Sequence, residues 1–207
     1  RLLTIDNKKT FNLIISIIES EGYDVSWWVL DSKDYGVPQT RRRVFIYGSL
    51  NKNKNIYPID PPKITRKILT TRSVLEKNVD KKYILSDKIL KTILKHGTGG
   101  YYSKSEIDLE IARPLTRTMV KMHRANQDNY YSNKFILNEK KLKWVRKLTP
   151  LEALRLQGFP DKFYQNAKNV PISDAQIYMQ AGNSVTTNVV EAILSHLIKH
   201  KWFYEYY

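Results

Sequence analysis

Apolar residues recur along the chain with two periods, and these periods predict its secondary structure. In residues 10–20, apolar side chains such as Phe11 and Ile18 lie at largely helical spacing, and Gly22 follows as a stop signal. Residues 25–30 and 44–47 are short runs of β-branched and aromatic residues. We therefore expect one amphipathic helix followed by two strands.

The second half of the chain carries clear helix signals. Thr149 stands as an N-cap before Pro150, and Glu152 follows the cap by three residues, which predicts a helix that Gly158 ends. Further helices are predicted over residues 86–95, over residues 174–180 after a cap at Ser173, and over residues 187–200.

A change of composition near Asn51 divides the chain. The segment NKNKNIYPIDPPK at residues 51–63 combines asparagine and lysine with three prolines, as a linker between substructures does. The region that follows runs to about Lys143 and is rich in tyrosine, arginine and lysine. We therefore expect a separate middle region.

Charge narrows the class of protein. The 207 residues are 42% hydrophobic and 12% aromatic, which is enough to build packed cores. Thirty-five Lys and Arg against twenty Asp and Glu give a net charge of +15 and a pI near 9.8. This balance favours a polyanionic partner such as nucleic acid, although a soluble protein with a lysine-rich surface has it too.

Several classes of site are disfavoured. The chain has no cysteine, which excludes disulfides, thiolate metal sites and cysteine nucleophiles within these residues. His196 and His200 have i,i+4 spacing, but no acidic residue between them can act as a base, so we expect no metal. No apolar run approaches the roughly twenty residues that span a bilayer, and the first ten residues lack the long apolar core of a signal peptide, so we expect a cytoplasmic protein without a membrane partner. Because Arg1 is not methionine, we expect a chain that begins inside a longer product or has been trimmed.

Three segments carry candidate chemistry. DYGVPQTRRRV at residues 34–44 places a turn between the two predicted strands, and its glutamine and arginines are donors for phosphate or carbonyl oxygen. RKLTPLEALRLQGFPDKF at residues 146–163 is the capped helix with a turn. QAGNSV at residues 180–185 places Gly182 and Asn183 ahead of a helix, so that backbone N–H groups and a hydroxyl face a ligand. Taken alone, these segments are typical of a solvated arginine cluster, a helix with its stop and a common helix start.

In this order and separation, the three segments resemble motifs VIII, IX and X of the cytosine-5 DNA methyltransferases. Motif VIII is matched by Gln39, Arg41 and Arg43 as Gln-x-Arg-x-Arg. Motif IX is matched by Arg146 with the Leu-Thr-Pro-x-Glu and Gly-Phe-Pro-Asp elements, and motif X by Gly-Asn-Ser-Val at residues 182–185. The resemblance also covers the helix and the Gly-Tyr strand before motif VIII.

The resemblance implies an α/β fold, the C-terminal part of a Rossmann-like S-adenosylmethionine-dependent methyltransferase domain with a smaller target-recognition domain inserted. Residues 1–50 and 171–207 would belong to the catalytic domain, and residues 51–170 would form the target-recognition domain including motif IX. The family's Gly-rich cofactor loop, Pro-Cys nucleophile motif and Glu-Asn-Val motif are absent from the chain. We therefore expect the chain to be inactive alone, and an upstream catalytic half, in the same chain or a separate subunit, to be its partner.

By the same resemblance, the enzyme transfers a methyl group from S-adenosyl-L-methionine to carbon-5 of a cytosine flipped out of duplex DNA, in a restriction-modification system whose cognate endonuclease acts independently. The resemblance assigns Arg43, Arg41 and Gln39 to the catalytic site and Asn183, Ser184 and Val185 to the cofactor pocket. The residues expected to bind DNA are Arg42, Arg113, Leu115, Thr116, Arg117, Arg124 and Arg146. Leu115 matches the leucine of the family's Thr-Leu element, with Pro114 in place of the threonine.

Two alternatives stay open. The first is a non-catalytic, sequence-specific DNA-binding subunit, against which the intact Gly-Asn-Ser-Val argues, because DNA binding alone gives no reason to keep it. The second is a protein that binds or methylates RNA, since a branch of the family acts on tRNA.

Overall fold

The computed structural model describes residues 2–50, 59–63, 67, 69–95, 105–119, 123–124 and 126–199. Most of the predicted linker, residues 51–58, and His200 lie outside these ranges. The chain is mixed α/β, and its contacts divide it into two units. Unit 1 comprises Arg1–Asp31, Arg42–Thr65 and Glu191–Tyr207, and unit 2 comprises Ser32–Arg41 and Arg66–Val190. The family-based boundaries at residues 50 and 171 stay a prediction.

Unit 1 contains the predicted helix and both predicted strands. Helix α1 is Lys9–Ser20, and strands β1, Asp24–Asp31, and β2, Arg42–Ser49, form an antiparallel pair. Phe11 is the buried anchor of α1, and its ring meets the Trp27 ring edge-on at 4.9 Å between centroids. The three elements predicted from this part of the sequence are confirmed.

The opposite face of strand β1 packs against residues beyond the hairpin. Ser26 and Trp28 are buried, and the Trp28 indole Nε1 donates to the carbonyl oxygen of Ile59 at 2.9 Å. The backbone N–H of Ile59 in turn donates to the Ser26 hydroxyl at 2.8 Å. Further along unit 1, His196 Nε2 lies 2.9 Å from the carbonyl oxygen of Asp60.

Unit 2 holds the remaining helices and a second antiparallel pair of short strands. The helices are α2, Asp87–Leu94, α3, Asn133–Leu137, α4, Pro150–Arg155, α5, Asp161–Lys168, and α6, Asp174–Asn183, and the strands are β3, Tyr130–Ser132, and β4, Val145–Lys147. Helix α7, Thr187–Lys199, starts in unit 2 and continues into unit 1. The main core of unit 2 is built from buried side chains of α4 and α6 together with residues such as Leu115 and Tyr131.

Side-chain caps explain where two of these helices begin. Thr149 and Glu152 form a reciprocal capping box at the start of α4, as predicted, and Ser173 and Gln176 form another at the start of α6. Asp174, in the first turn of α6, accepts hydrogen bonds from Lys82, Tyr83 and Lys168 at 2.8 to 2.9 Å. This carboxylate therefore joins three segments of unit 2.

Within the described ranges, no helix is both long enough and apolar enough to cross a membrane. In the same ranges, no group of three or more histidine, aspartate and glutamate side chains is placed to hold a metal ion.

Candidate functional site

Two side chains of the first motif hold both backbone polar groups of Leu115. Gln39 is fully buried, and its Oε1 accepts from the Leu115 N–H at 2.8 Å while its Nε2 donates to the Leu156 carbonyl at 2.7 Å. Arg41, also buried, donates from Nη1 to the Leu115 carbonyl at 2.9 Å. The backbone contributes as well, because residue 39 forms a parallel bridge with Ala112. The first motif is therefore joined to the segment that carries the expected recognition residues.

The other end of the Arg41 guanidinium reaches the third motif. Its Nη2 donates to the carbonyl oxygens of Gly182 and Ser184, both at 2.9 Å. A cation suits this place, since the last carbonyls of helix α6 lack partners within the helix and carry partial negative charge. Gly182 also approaches Thr116 closely, because a Cβ at position 182 would lie 2.5 Å from the Thr116 carbonyl carbon. One arginine thus connects the segments around residues 41, 115 and 183.

The structure corrects one expectation about the third motif. Gly182 and Asn183 form the last turn of α6, because the helix started by the Ser173 cap runs past its predicted end at residue 180 until Ser184 takes an extended conformation, and α7 begins only at Thr187. The groups that this turn presents are therefore carbonyl oxygens, of which two already bind Arg41, and not N–H groups. Asn183 and Val185 are exposed, and Ser184 is half-buried with its hydroxyl donating to the Ala181 carbonyl at 2.9 Å.

A buried polar chain joins the end of motif IX to the start of α7. Gln157 is fully buried, and its Nε2 donates to the Ala181 carbonyl at 2.9 Å. Its Oε1 accepts from the Thr186 hydroxyl at 2.9 Å, and that hydroxyl lies 2.7 Å from the Ser32 hydroxyl. These three side chains were not among the expected site residues. Gln157 stands inside the matched motif IX, so its position in the motif was the available signal.

Arg146 has a different place from the one expected. Its side chain has no exposed surface and forms a two-pronged ion pair with the equally buried Glu152, with Nη2 to Oε1 at 2.6 Å and Nη1 to Oε2 at 2.8 Å. Nη2 also donates to the Glu76 carbonyl at 2.8 Å. A guanidinium enclosed in this way does not reach a DNA phosphate, and the structure therefore gives Arg146 an internal role instead of the expected DNA contact. Leu115, 3% exposed, is likewise a core residue in this structure.

Arg42 and Arg43 lie in unit 1, at the start of strand β2. Both are exposed, and the register pairs Arg42 with Asp31 and Arg43 with Leu30. Arg43 donates from Nη1 to the carbonyl oxygen of Arg42 at 2.8 Å. The boundary between the units thus falls inside the Gln-x-Arg-x-Arg motif, with its two buried side chains in unit 2 and the exposed Arg43 in unit 1.

The remaining expected DNA-binding residues lie in a polar segment of unit 2. Arg117 is exposed and Thr116 half-buried, while the Arg113 and Arg124 side chains are 17% and 21% exposed and pair with Glu106 and Asp128. Burial raises the pKa of Asp128, although hydrogen bonds from Arg124 act against this shift. Among the described residues, the segment therefore combines the exposed Arg117 with Arg113 and Arg124, which are each paired with a carboxylate.

The sequence itself decides the family. Residues 1–199 match the family model of the C-5 cytosine-specific DNA methylases. The chain belongs to this family.

Several curated members of the methylase family are similar to the chain. The Type II methyltransferase M.SsoII of Shigella sonnei is 35% identical over an alignment of 209 positions, which covers 95% of this chain and 50% of that protein. The Type II methyltransferase M.DsaV of Dactylococcopsis salina is 31% identical over 202 residues, covering 94% and 53%. The chain thus spans about half the length of the curated relatives it matches.

Solved structures of methyltransferases share the fold. EhMeth of Entamoeba histolytica superposes with a TM-score of 0.70 at 20% identity, over 94% of this chain and 59% of that one. The Dnmt2 methyltransferase of S. pombe gives a TM-score of 0.70 at 18% identity, over 96% and 64%. The expected fold class, a part of an S-adenosylmethionine-dependent methyltransferase domain, is confirmed.

Proposed function

We propose that this chain serves a DNA (cytosine-5)-methyltransferase, which transfers a methyl group from S-adenosyl-L-methionine to carbon-5 of a flipped cytosine in a specific duplex sequence. The observation that carries the proposal is that the first motif of this methylase-family chain contacts the other two. Gln39 binds the backbone of Leu115 and of Leu156 in motif IX, and Arg41 binds Leu115 and the end of helix α6 in motif X. The Type II methyltransferases among the relatives support a restriction-modification setting, in which a cognate endonuclease would act independently.

The chemistry requires a group that these residues lack. Carbon-5 of cytosine is a poor nucleophile until a thiolate adds to carbon-6 of the ring. The chain contains no cysteine, so the thiolate would come from an upstream catalytic half, in the same chain or in a separate subunit. The present residues would then supply DNA recognition and part of the cofactor pocket, and the chain alone would be inactive.

The residues at the end of α6 fit a place beside the cofactor. When bound, S-adenosyl-L-methionine supplies an electrophilic methyl group on a sulfonium. Asn183 offers an exposed amide for hydrogen bonding and Val185, 49% exposed, an apolar surface. Ser184 would fix this turn, because its carbonyl and hydroxyl are both held internally. Arg41, which binds the carbonyl oxygens of Gly182 and Ser184, would be a positioning residue for this turn.

The exposed cations would meet the DNA. A flipped cytosine needs a donor for its polar edge, and we assign Arg43 to this role, with Arg42 on the phosphate backbone. Thr116 and Arg117 would contact the duplex within a target-recognition domain at residues 51–170. The net charge of +15 supports a polyanionic substrate.

The two adjacent exposed arginines of strand β2 provide a matched test. In the enzyme assembled with its upstream half, Arg43→Ala should lower the rate of methyl transfer far more than it lowers DNA affinity. Arg42→Ala, the control, should lower affinity and make binding less sensitive to salt. Equal losses of rate and affinity for Arg43→Ala would mean that this residue only holds phosphate and would contradict the assignment.

A further inference from the structure

Within residues 113–129, the described residues at the two ends of the polar segment are hydrogen-bonded to each other. The backbone N–H of Arg113 donates to Asn129 Oδ1 at 2.8 Å, and Asn129 Nδ2 donates back to the Arg113 carbonyl at 3.1 Å. Arg113 further donates from Nη1 to the carbonyl oxygens of Glu106 and Asp128. The described residues at the two ends of this segment are therefore fixed side by side.

A second set of contacts holds its interior. Arg124 Nη2 donates to the Thr116 hydroxyl at 3.0 Å and to Asp128 Oδ1 at 3.1 Å. The Arg124 backbone N–H donates to the other carboxylate oxygen of Asp128 at 3.0 Å. Asp128 is 5% exposed, so the carboxylate lies inside the segment and neutralises the arginine there.

The Thr116–Arg117 backbone is held from the other side as well. Gly182 of α6 approaches it so closely that a Cβ would lie 2.5 Å from the Thr116 carbonyl carbon and 2.6 Å from the Arg117 nitrogen. Arg117 itself is exposed. An arginine that starts from a fixed backbone suits bidentate recognition of a guanine edge, because such recognition requires two donors in one plane.

We propose that Arg124 and Asp128 are positioning residues for sequence recognition, which hold Thr116 so that Arg117 meets the base edges of duplex DNA. The proposal rests on the proposed function and changes the role first expected for Arg124. A guanidinium already neutralised by a buried carboxylate releases no counterion from DNA, whereas its loss frees the hydroxyl that it holds. The effect should therefore appear in sequence preference and not in overall affinity.

The test uses the assembled methyltransferase on a pool of duplexes with randomised sequence, read by sequencing the methylated sites. We expect Arg124→Gln and Thr116→Val each to reduce the preference for the wild-type site over sites with one altered base pair by roughly tenfold. The dependence of DNA affinity on salt concentration should not change. Thr116→Ser, which keeps the hydroxyl, should retain the preference, and the double variant should be no worse than either single one.

The control is Lys143→Gln, which breaks an ion pair of the same i,i+4 spacing with Glu139 on the surface of unit 2 and should leave preference and melting temperature unchanged. If Arg124→Gln weakens binding to all DNA sequences alike and lowers the slope of affinity against salt by about 0.9, then Arg124 binds phosphate and the proposal is overturned. A Thr116→Val variant that melts like the wild type and keeps its preference overturns the proposal even where Arg124→Gln fails to fold. If the wild-type enzyme methylates no site in the pool, the proposed function itself fails, and this proposal with it.

Discussion

Replacing Arg146 by methionine separates an internal ion pair from a DNA contact. The arginine is fully buried, binds both carboxylate oxygens of Glu152 and donates to the carbonyls of Glu76 and Lys147. Arg146→Met fills a similar volume but leaves the Glu152 carboxylate buried without its counterion. Breaking a buried pair in this way costs about 3 to 5 kcal/mol, which is a large part of the roughly 5 to 15 kcal/mol that stabilises a typical domain.

The companion variants show whether the cost comes from the unpaired charge. Glu152→Gln should also destabilise strongly, because it leaves the arginine unpaired. The double variant Arg146→Met/Glu152→Gln buries no charge at this position, so its loss should be smaller than the sum of the two single losses by about 1 kcal/mol or more. Urea unfolding followed by circular dichroism measures all three differences.

Measurement of DNA affinity at several salt concentrations distinguishes the internal ion pair of Arg146 from a DNA contact. Arg146→Met should leave the salt dependence of DNA affinity unchanged in the protein that remains folded. A variant with wild-type stability whose salt slope falls by about 0.9 would show that Arg146 neutralises a phosphate. That outcome would refute the internal role.

Two further predictions concern helix α6. Gly182→Ala should lower the melting temperature, because the added Cβ would meet the Thr116 backbone at 2.5 Å and such overpacking costs about 1 to 3 kcal/mol. Gly48→Ala, whose Cβ would meet side-chain atoms no closer than 3.3 Å, is the control. Equal melting temperatures for the two variants would contradict the close approach of Gly182 to Thr116. The pKa of Asp174 lies below its usual range, because burial would raise it but the hydrogen bonds from two lysines and a tyrosine together outweigh burial. A depressed pKa stabilises the fold at pH values above the unfolded-state pKa of about 4, and this stability is lost as the pH falls below that value. Asp174→Asn should therefore flatten the dependence of the unfolding free energy on pH below about 4. An unchanged pH dependence would show that Asp174 does not cause it.

Local signals in the sequence predicted the secondary structure well where a few neighbouring residues determine it. Thr149 and Glu152 are three positions apart, and their capping box needs nothing from the rest of the chain. The strands around Trp28 and Phe45 likewise follow from β-branched and aromatic runs. Helix α5 was not predicted, because its sequence, DKFYQNAK, is mostly polar and follows a Gly-Phe-Pro turn.

The roles of charged residues depended on contacts that sequence spacing does not contain. Arg146 was expected on the DNA from the resemblance to motif IX, but Glu152, six residues away, accepts hydrogen bonds from its guanidinium inside the core. Arg41 reaches residues 115, 182 and 184, which only the folded chain brings together. The motifs therefore indicated segments that the fold brings into contact, while burial decides which of their side chains remain exposed.

The most direct test of the proposed function is the transfer of labelled methyl groups from S-adenosyl-L-methionine to duplex DNA, measured with this chain alone and after mixing with its upstream catalytic half. We expect no transfer by the chain alone, which has no cysteine, and transfer to carbon-5 of cytosine in the mixture. DNA binding without any methyl transfer in the mixture would contradict the enzyme and favour a non-catalytic DNA-binding subunit.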